Sequence, residues 1–271
     1  MSERDFMAGI IFGFLTPQQQ AAREKQAREY EQRLIKGPCV PWAEDKTKFD
    51  KMLVLDGTTF KPRLLFDDAP LNILNWHKDQ HKVRLSPNKQ LGYYNSLLPA
   101  GRRLDLWQGQ KRGKVCFTTD VVIPTLVKWP IPNDHVVWMS YTPAEVLAMR
   151  QGVKLAKGRC VVGGLGLGYF LEQILQKPSV KEVVVIEISA ELLDWYGREL
   201  VSWLEYGYKK PIQLICGDAK AELGKHGEET RYLYDIWDGF PCYLTPAEEK
   251  TFEQKGYWAW GNIKERETSR W

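Results

Sequence analysis

The alternation of apolar and polar residues becomes regular from about residue 140. From there on, short apolar runs alternate with segments that carry apolar residues at helical spacing. Continuous apolar runs are typical of strands buried on both faces of a sheet. We therefore predict strands at Cys160–Val162, Val183–Ile186, Ile212–Cys216, Tyr232–Trp237 and Tyr257–Trp260. Strands that alternate with helices predict an α/β fold, in which helices cover both faces of a mostly parallel sheet.

The predicted helices have recognisable starts. Thr142-Pro143-Ala144-Glu145 has the form of a capping box, and its helix should run toward Ala156 until Gly158 stops it. The same tetrapeptide recurs at Thr245–Glu248 and predicts a second helix that reaches about Lys255. Two further helices are indicated by apolar stripes at Leu171, Ile174 and Leu175 and at Leu192, Tyr196 and Leu200.

The pattern before residue 140 is weaker. Runs such as Met52–Leu55 and Val121–Ile123 predict short strands broken by turns, so residues 39–139 are predicted to form a smaller β-rich or irregular domain. Residues 1–38 hold an apolar segment and then a polar helix. This helix has little to bury, so we expect it to be solvated or to contact a protein partner, a second copy of the chain included. Residues 140–271 are predicted to form the α/β domain, shortened at its C-terminal end.

Composition restricts the possible partners. The chain has 271 residues with 38 Lys and Arg against 34 Asp and Glu, and a formal charge of +4 is too small to indicate a nucleic-acid partner. Its five cysteines form no CxxC pair, which is typical of a reduced cytoplasmic protein. The apolar run Met7–Leu15 falls short of the ~20 residues that span a bilayer, so no membrane association is predicted.

A glycine-rich loop follows the first predicted strand of the α/β domain. It reads Gly163-Gly164-Leu165-Gly166-Leu167-Gly168. Glycines at a strand-to-helix turn let the backbone approach a ligand closely and present amides at a helix N-terminus. The spacing is G-x-G-x-G, whereas the dinucleotide pattern G-x-G-x-x-G would require a glycine at Tyr169.

Acidic residues end the next three predicted strands. Glu187, followed by Ile188, lies 23 residues after Gly164, where a carboxylate can accept both hydroxyls of a ribose. Asp218 and Ala219 end the third strand, and Asp235 and Asp238 end the fourth. The ends of parallel strands meet at one edge of a sheet, so these acids are predicted to share one site.

In this order, these features resemble the motifs of class I, Rossmann-like S-adenosylmethionine-dependent methyltransferases over roughly residues 140–263. The resemblance implies that S-adenosyl-L-methionine binds over the glycine loop, with Glu187 at the ribose and Asp218 near the adenine. The cofactor-binding residues it implies are Gly163, Gly164, Leu165, Gly166, Gly168, Glu187, Ile188, Asp218, Ala219 and Asp235. Within the superfamily, Asp235 is most similar to the strand-end aspartate of the spermidine-synthase-like branch. That branch has a further aspartate at the start of the strand, where this chain has Glu229-Thr230-Arg231.

The resemblance implies an enzyme. The first hypothesis is a methyltransferase of unknown acceptor in which Asp235 or Asp238 is the catalytic base or holds a substrate amine. The alternatives are a non-catalytic scaffold with the methyltransferase fold and an aminopropyl transferase resembling spermidine synthase.

Two other patterns in the sequence have a simpler interpretation than a functional site. Gly239-Phe240-Pro241-Cys242 resembles the Pro-Cys loop of DNA cytosine-5 methyltransferases, but no Glu-Asn-Val sequence accompanies it, so a packed thiol is favoured. His77 and His81 are four apart, but no third ligand is evident and no metal site is predicted.

Overall fold

The computed structural model of the chain describes residues 39–40, 52–73, 82–102, 104–108, 111–131, 134–236 and 244–259. Within these ranges the strands, in chain order, are β1 (Cys39–Val40), β2 (Met52–Leu55), β3 (Leu71–Ile73), β4 (Arg84–Leu85), β5 (Leu91–Leu98), β6 (Leu104–Gln108), β7 (Lys111–Phe117), β8 (Val121–Ile131), β9 (Asp134–Ser140), β10 (Gly158–Gly163), β11 (Val180–Glu187), β12 (Ile212–Cys216), β13 (Arg231–Tyr234) and β14 (Trp258–Ala259).

The α-helices of the same ranges are α1 (Pro143–Leu155), α2 (Tyr169–Leu175), α3 (Ala190–Leu192), α4 (Arg198–Tyr208) and α5 (Pro246–Lys255). A π-helical turn, Leu193–Gly197, joins α3 to α4, and a 3-10 turn covers Ala219–Glu222. None of the helices in the described part of the chain is long and apolar enough to cross a membrane. The predicted N-terminal helix and the apolar segment before it lie outside the described residues.

The first nine strands form two sheets. One has the order β1-β2-β7-β6 and the other β3-β5-β8-β9, with β4 paired to β5. Residues 39–139 were predicted to be β-rich or irregular, and the part of them that the structure describes is β-rich. Several pairings join distant segments, since Leu55 of β2 lies beside Phe117 of β7 in a parallel register.

The other five strands form one parallel sheet in the order β12-β11-β10-β13-β14. Counted within this sheet, the order is third, second, first, fourth, fifth, which is the Rossmann arrangement. The predicted α/β, Rossmann-like fold is therefore confirmed. The chain changes direction across the sheet between β10 and β13, and ligands of such sheets bind outside the carboxyl ends of the strands at this point.

The two halves share apolar contacts. Phe66 stacks on Trp195 of the π-helical turn with ring centroids 5.2 Å apart, and Tyr93 of β5 meets Phe66 edge-on at 5.1 Å. Glu191 of α3 accepts backbone hydrogen bonds from Asn88 and Gln90 of the β4–β5 turn at 3.1 and 3.4 Å. Apolar surface that is removed from water contributes about 25 cal/mol per Å², so contacts of this kind hold the N-terminal sheets beside the parallel sheet.

Helix α1 connects the last N-terminal strand to the parallel sheet. It packs against α2 and against Trp258 of β14, and Gly152 makes this approach possible because a Cβ there would lie 2.6 Å from the Trp258 ring. Trp258 in turn stacks on Phe170 of α2 at 5.2 Å. The end of β9 and the residues that lead into α1 are thereby brought to the carboxyl edge of β10 and β13.

Candidate functional site

A cavity of ≈ 590 Å³ opens at the carboxyl edge of the parallel sheet. Its walls come from the segments that follow β10, β11, β12 and β13, and from the end of β9 with the start of α1. The volume lies within the range of about 300–1,000 Å³ that is usual for small-molecule sites. Eight of the predicted site residues line this pocket, which is large enough for a nucleoside ligand: Gly164, Leu165, Gly166, Glu187, Ile188, Asp218, Ala219 and Asp235.

The glycine loop fits tightly between β13 and α4. Gly164 has a φ of +86°, and a Cβ there would lie 2.1 Å from the Asp235 carbonyl oxygen. Gly168 has a φ of +81°, begins α2, and faces Leu200 of α4, whose Cδ2 would lie 2.6 Å from an added Cβ. Only glycine combines this backbone conformation with such close neighbours. Gly164, Leu165 and Gly166 line the cavity, whereas Gly163 and Gly168 support the loop from outside it.

Glu187 lies at the end of β11 and is 4% exposed. Its Oε2 accepts a hydrogen bond from the backbone N–H of Leu165 at 2.9 Å, and its Oε1 accepts one from the N–H of Ser189 at 2.8 Å. A carboxylate has about four lone-pair sites, so two remain for hydroxyl donors of a ligand. The carboxylate is thus fixed beside the glycine loop with acceptor capacity to spare.

Asp218 and Ile188 form the outer rim of this end of the cavity. The Asp218 side chain is exposed, and its Oδ1 accepts a hydrogen bond from the Lys220 N–H at 2.9 Å, which starts the 3-10 turn. Ile188 is 70% exposed although it is apolar. Ala219 is buried beneath the rim and also lines the cavity. These positions suit the flat apolar face and the polar edge of a base.

Asp235 follows β13 and lies on the opposite wall. Its backbone N–H donates to the Gly163 carbonyl at 2.9 Å, which continues the pairing of β10 with β13. Burial, together with the charge of Glu145, raises the pKa of the Asp235 carboxyl to about 7. A carboxyl with this proton affinity exchanges protons near neutral pH and is suited to general acid–base chemistry.

The sequence analysis missed Glu145 as a site residue. It correctly predicted the capping box, in which the Thr142 N–H donates to Glu145 Oε2 at 3.1 Å. The structure also places Glu145 in the wall of the cavity, where burial raises its pKa. Trp138, Met139 and Tyr141 were missed as well, and they line the cavity from the end of β9. The sequence carries no signal for these contacts, because they depend on how β9 is placed over the parallel sheet.

Several predicted positions lie outside the described residues. They are Asp238, Cys242, His77 and His81, so what the sequence indicates for them stays a prediction. In the part of the chain that the structure describes, no group of three or more His, Cys, Asp or Glu side chains is arranged to hold a metal ion.

No family model matches the chain. A stretch of 87 residues is 33% identical to the thermospermine synthase ACAULIS5 of Arabidopsis thaliana. The matched stretch covers 31% of this chain and 25% of that protein. The chain therefore spans about a quarter of the length of this relative. The crystal structure of a spermidine synthase from Thermotoga maritima shares 14% identity at a TM-score of 0.29, over 62% of this chain and 57% of that one. The thermospermine synthase match fits the aminopropyl-transferase alternative better than the methyltransferase that the sequence analysis put first.

Proposed function

We propose that this chain binds an S-adenosyl nucleoside in the cavity and transfers the aminopropyl group of decarboxylated S-adenosylmethionine to an amine. The observation that carries the proposal is the Asp235 carboxyl, which lies at the switch point of the sheet and has a pKa raised to about 7 by burial and by the charge of Glu145. The local similarity to a thermospermine synthase supports the same reaction class.

The glycine loop and Glu187 would hold the nucleoside half. The loop offers backbone surface without side chains at Gly164 and Gly166, and Glu187 has unused acceptor sites for ribose hydroxyls. Asp218 and Ile188 lie where a base would extend over the rim. The S-adenosyl-L-methionine expected from the sequence would use the same contacts, because it differs from the decarboxylated form only in the tail.

The charges of the cavity favour a cationic ligand. Four carboxylates line it, at Glu145, Glu187, Asp218 and Asp235, against one ammonium, at Lys220, among the described residues. Lys220 Nζ already lies 3.7 Å from the Glu248 carboxylate. A sulfonium with an amine tail and no carboxylate gains from such a site, and so does an acceptor with several amino groups.

Asp235 would serve as the base. An amine can attack only through a free lone pair, so its ammonium proton must leave, and the Asp235 carboxylate is the group placed to accept it. The new N–C bond forms as the C–S bond breaks, and the sulfur keeps the electron pair and leaves as a neutral thioether. Trp138 and Tyr141 would face the cations with their ring surfaces, which attract positive charge.

Methyl transfer is the second candidate, and Lys220 favours it. An ammonium in the cavity wall can pair with the carboxylate of intact S-adenosylmethionine, which the decarboxylated form lacks.

The test is calorimetric titration of the purified chain with S-adenosylmethionine, its decarboxylated form, S-adenosylhomocysteine and NAD. It is followed by an assay with each labelled sulfonium nucleoside and a panel of diamines and polyamines. Tighter binding of the decarboxylated form, with label transferred as an aminopropyl group, is the expected result. Methyl transfer instead would make the second candidate correct. A folded sample that binds none of the four ligands would leave the scaffold alternative.

A further inference from the structure

Two carboxylates from different parts of the chain share the acceptor side of the cavity. Asp235 reaches it from the end of β13, and Glu145 from the first turn of α1. We propose that they form an asymmetric pair, in which Glu145 is the ionised member and a positioning residue that makes Asp235 the proton acceptor of the site. The inference rests on the proposed function, since it assigns the residue that prepares the base.

The hydrogen bonds of Glu145 favour its charged form. Its Oε1 accepts from the Ser140 N–H at 3.1 Å. Its Oε2 accepts from the Ser140 hydroxyl at 2.9 Å and from the Thr142 N–H at 3.1 Å. Donors that point at a carboxylate stabilise the ionised state relative to the protonated one. These donors therefore counteract the burial that otherwise raises the pKa of Glu145.

Asp235 has the opposite surroundings. Its backbone N–H is used by the Gly163 carbonyl, and no hydrogen bond from the described residues reaches its carboxylate. Two neighbouring carboxyls do not ionise together easily, because the second negative charge is opposed by the first. The group with the donors loses its proton first, so the remaining proton resides on Asp235.

The other titratable groups of the described walls do not supply this effect. Burial raises the pKa of Tyr141 and raises that of Tyr169 to about 12, so both are neutral at physiological pH. Glu187 is held by backbone amides on the nucleoside side, and Asp218 is exposed at the rim. Lys220 has Glu248 as its neighbour. Glu145 is therefore the neighbouring charge that acts on Asp235.

The chain contains a matched control. Thr245-Pro246-Ala247-Glu248 repeats the tetrapeptide of Thr142–Glu145 and forms the same capping box at the start of α5. Glutamine also occurs at N3, the position that Glu145 and Glu248 occupy in their capping boxes. Glu145→Gln and Glu248→Gln therefore each remove one charge while they keep the helix start. Only the first of these charges belongs to the pair.

The experiment is a 13C NMR titration of aspartate side-chain carboxyl carbons in the nucleoside-free protein. The full chain is compared with Glu145→Gln, Glu248→Gln and Asp235→Asn. The aspartate that titrates near pH 7 should be absent from Asp235→Asn, which assigns it. In Glu145→Gln its midpoint should fall by about one pH unit or more, the usual effect of removing a like charge. In Glu248→Gln it should stay unchanged.

A midpoint in Glu145→Gln that stays in place or rises would overturn the inference and leave Glu145 as a helix cap. The measurement needs no substrate, so it is separate from the proposed function. If the midpoint falls but no nucleoside binds, the result supports the carboxylate pair and contradicts the proposed transferase function. If transfer occurs, the acidic limb of the kcat/KM profile should move to lower pH in Glu145→Gln only, and an unmoved limb would count against the pair.

Discussion

The two Thr-Pro-Ala-Glu segments have the same sequence and the same local structure but opposite electrostatics. Each forms a complete capping box, at the start of α1 and at the start of α5. At Glu145, burial outweighs the hydrogen bonds from Thr142 and Ser140 and raises the pKa. At Glu248, burial is the largest single influence, but the bonds from Thr245 and the charge of Lys220 together outweigh it and lower the pKa.

The difference lies in what surrounds each helix start. Glu145 faces a cavity that already holds Asp235, whereas Glu248 lies nearer the surface beside a lysine at 3.7 Å. A local motif therefore decides that a helix begins, and its tertiary neighbours decide whether the same carboxylate stabilises the fold or takes part in chemistry. The following variants test that separation and the site on which it depends.

The largest effect is expected from Asp235→Asn. This variant removes the carboxyl group that lies near Glu145 and has no counterpart near Glu248 among the described residues. Transfer should fall by about 10²–10⁴-fold, the usual contribution of a general base. Nucleoside affinity should change little, because Glu187 and the glycine loop provide those contacts. Steady-state rates and calorimetry check this. Asp218→Asn, a substitution at the rim, should keep most of the rate. Equal losses in both variants would contradict the assignment of the base.

Gly164→Ala should be next, and Gly158→Ala is its control at the other end of β10. Both glycines have a positive φ, +86° and +61°. A Cβ at Gly164 would lie 2.1 Å from the Asp235 carbonyl oxygen, whereas nothing lies within 4 Å of one at Gly158. We expect Gly158→Ala to lower the free energy of unfolding by about 1 kcal/mol from backbone strain alone. Gly164→Ala should lower it by about 3 kcal/mol or more and abolish nucleoside binding. Denaturant unfolding and calorimetry would show whether the two values differ as stated.

Asp235→Asn should also stabilise the protein in a pH-dependent way. The folded pKa of Asp235, about 7, is above its unfolded value, so the folded state binds the proton more tightly. The stability of the natural chain therefore falls as pH rises from about 4 to 7, and the neutral asparagine avoids this loss. We expect the variant to gain about 4 kcal/mol at pH 8 and little at pH 4, because each pKa unit of difference corresponds to about 1.4 kcal/mol. Urea unfolding at several pH values measures the gain.

Glu248→Gln should have the opposite pH dependence, because the folded pKa of Glu248 is lowered. Its carboxylate stabilises the fold above the unfolded pKa and loses this effect as the pH falls. The variant should be slightly less stable than the natural chain at neutral pH and equal to it in acid. Parallel pH profiles for Asp235→Asn and Glu248→Gln would break the contrast between the two environments.

The smallest effects are expected from the caps themselves. Thr142→Ala and Thr245→Ala should each lower the free energy of unfolding by about 1 kcal/mol, because each removes one capping hydroxyl. Only Thr142→Ala should also lower the transfer rate, since it loosens Glu145 beside Asp235. Thermal unfolding gives the common loss, and rates at matched fractions of folded protein give the difference. A rate loss in both variants would point to general destabilisation.

Much of the α/β half could be predicted because its signals are local. The run Ile212–Cys216 coincides with β12, and both capping boxes start helices where the sequence places them. The N-terminal half was predicted only as β-rich or irregular. Its sheets depend on pairings such as that of Leu55 with Phe117, which are sixty-two positions apart in the sequence. No short-range pattern encodes the register of such a pair.

The sequence by itself determined the main elements of the α/β half, the glycine loop and the acidic strand ends, because hydrogen-bond periodicity, capping and glycine spacing act within a few residues. The tertiary structure alone decided that β13 lies next to β10, which brings Asp235 against Gly163. It alone placed Glu145, Trp138 and Met139 on the same cavity. Burial and charge coupling act across space between segments far apart in sequence, so the proton affinity of Asp235 is a property of the folded chain.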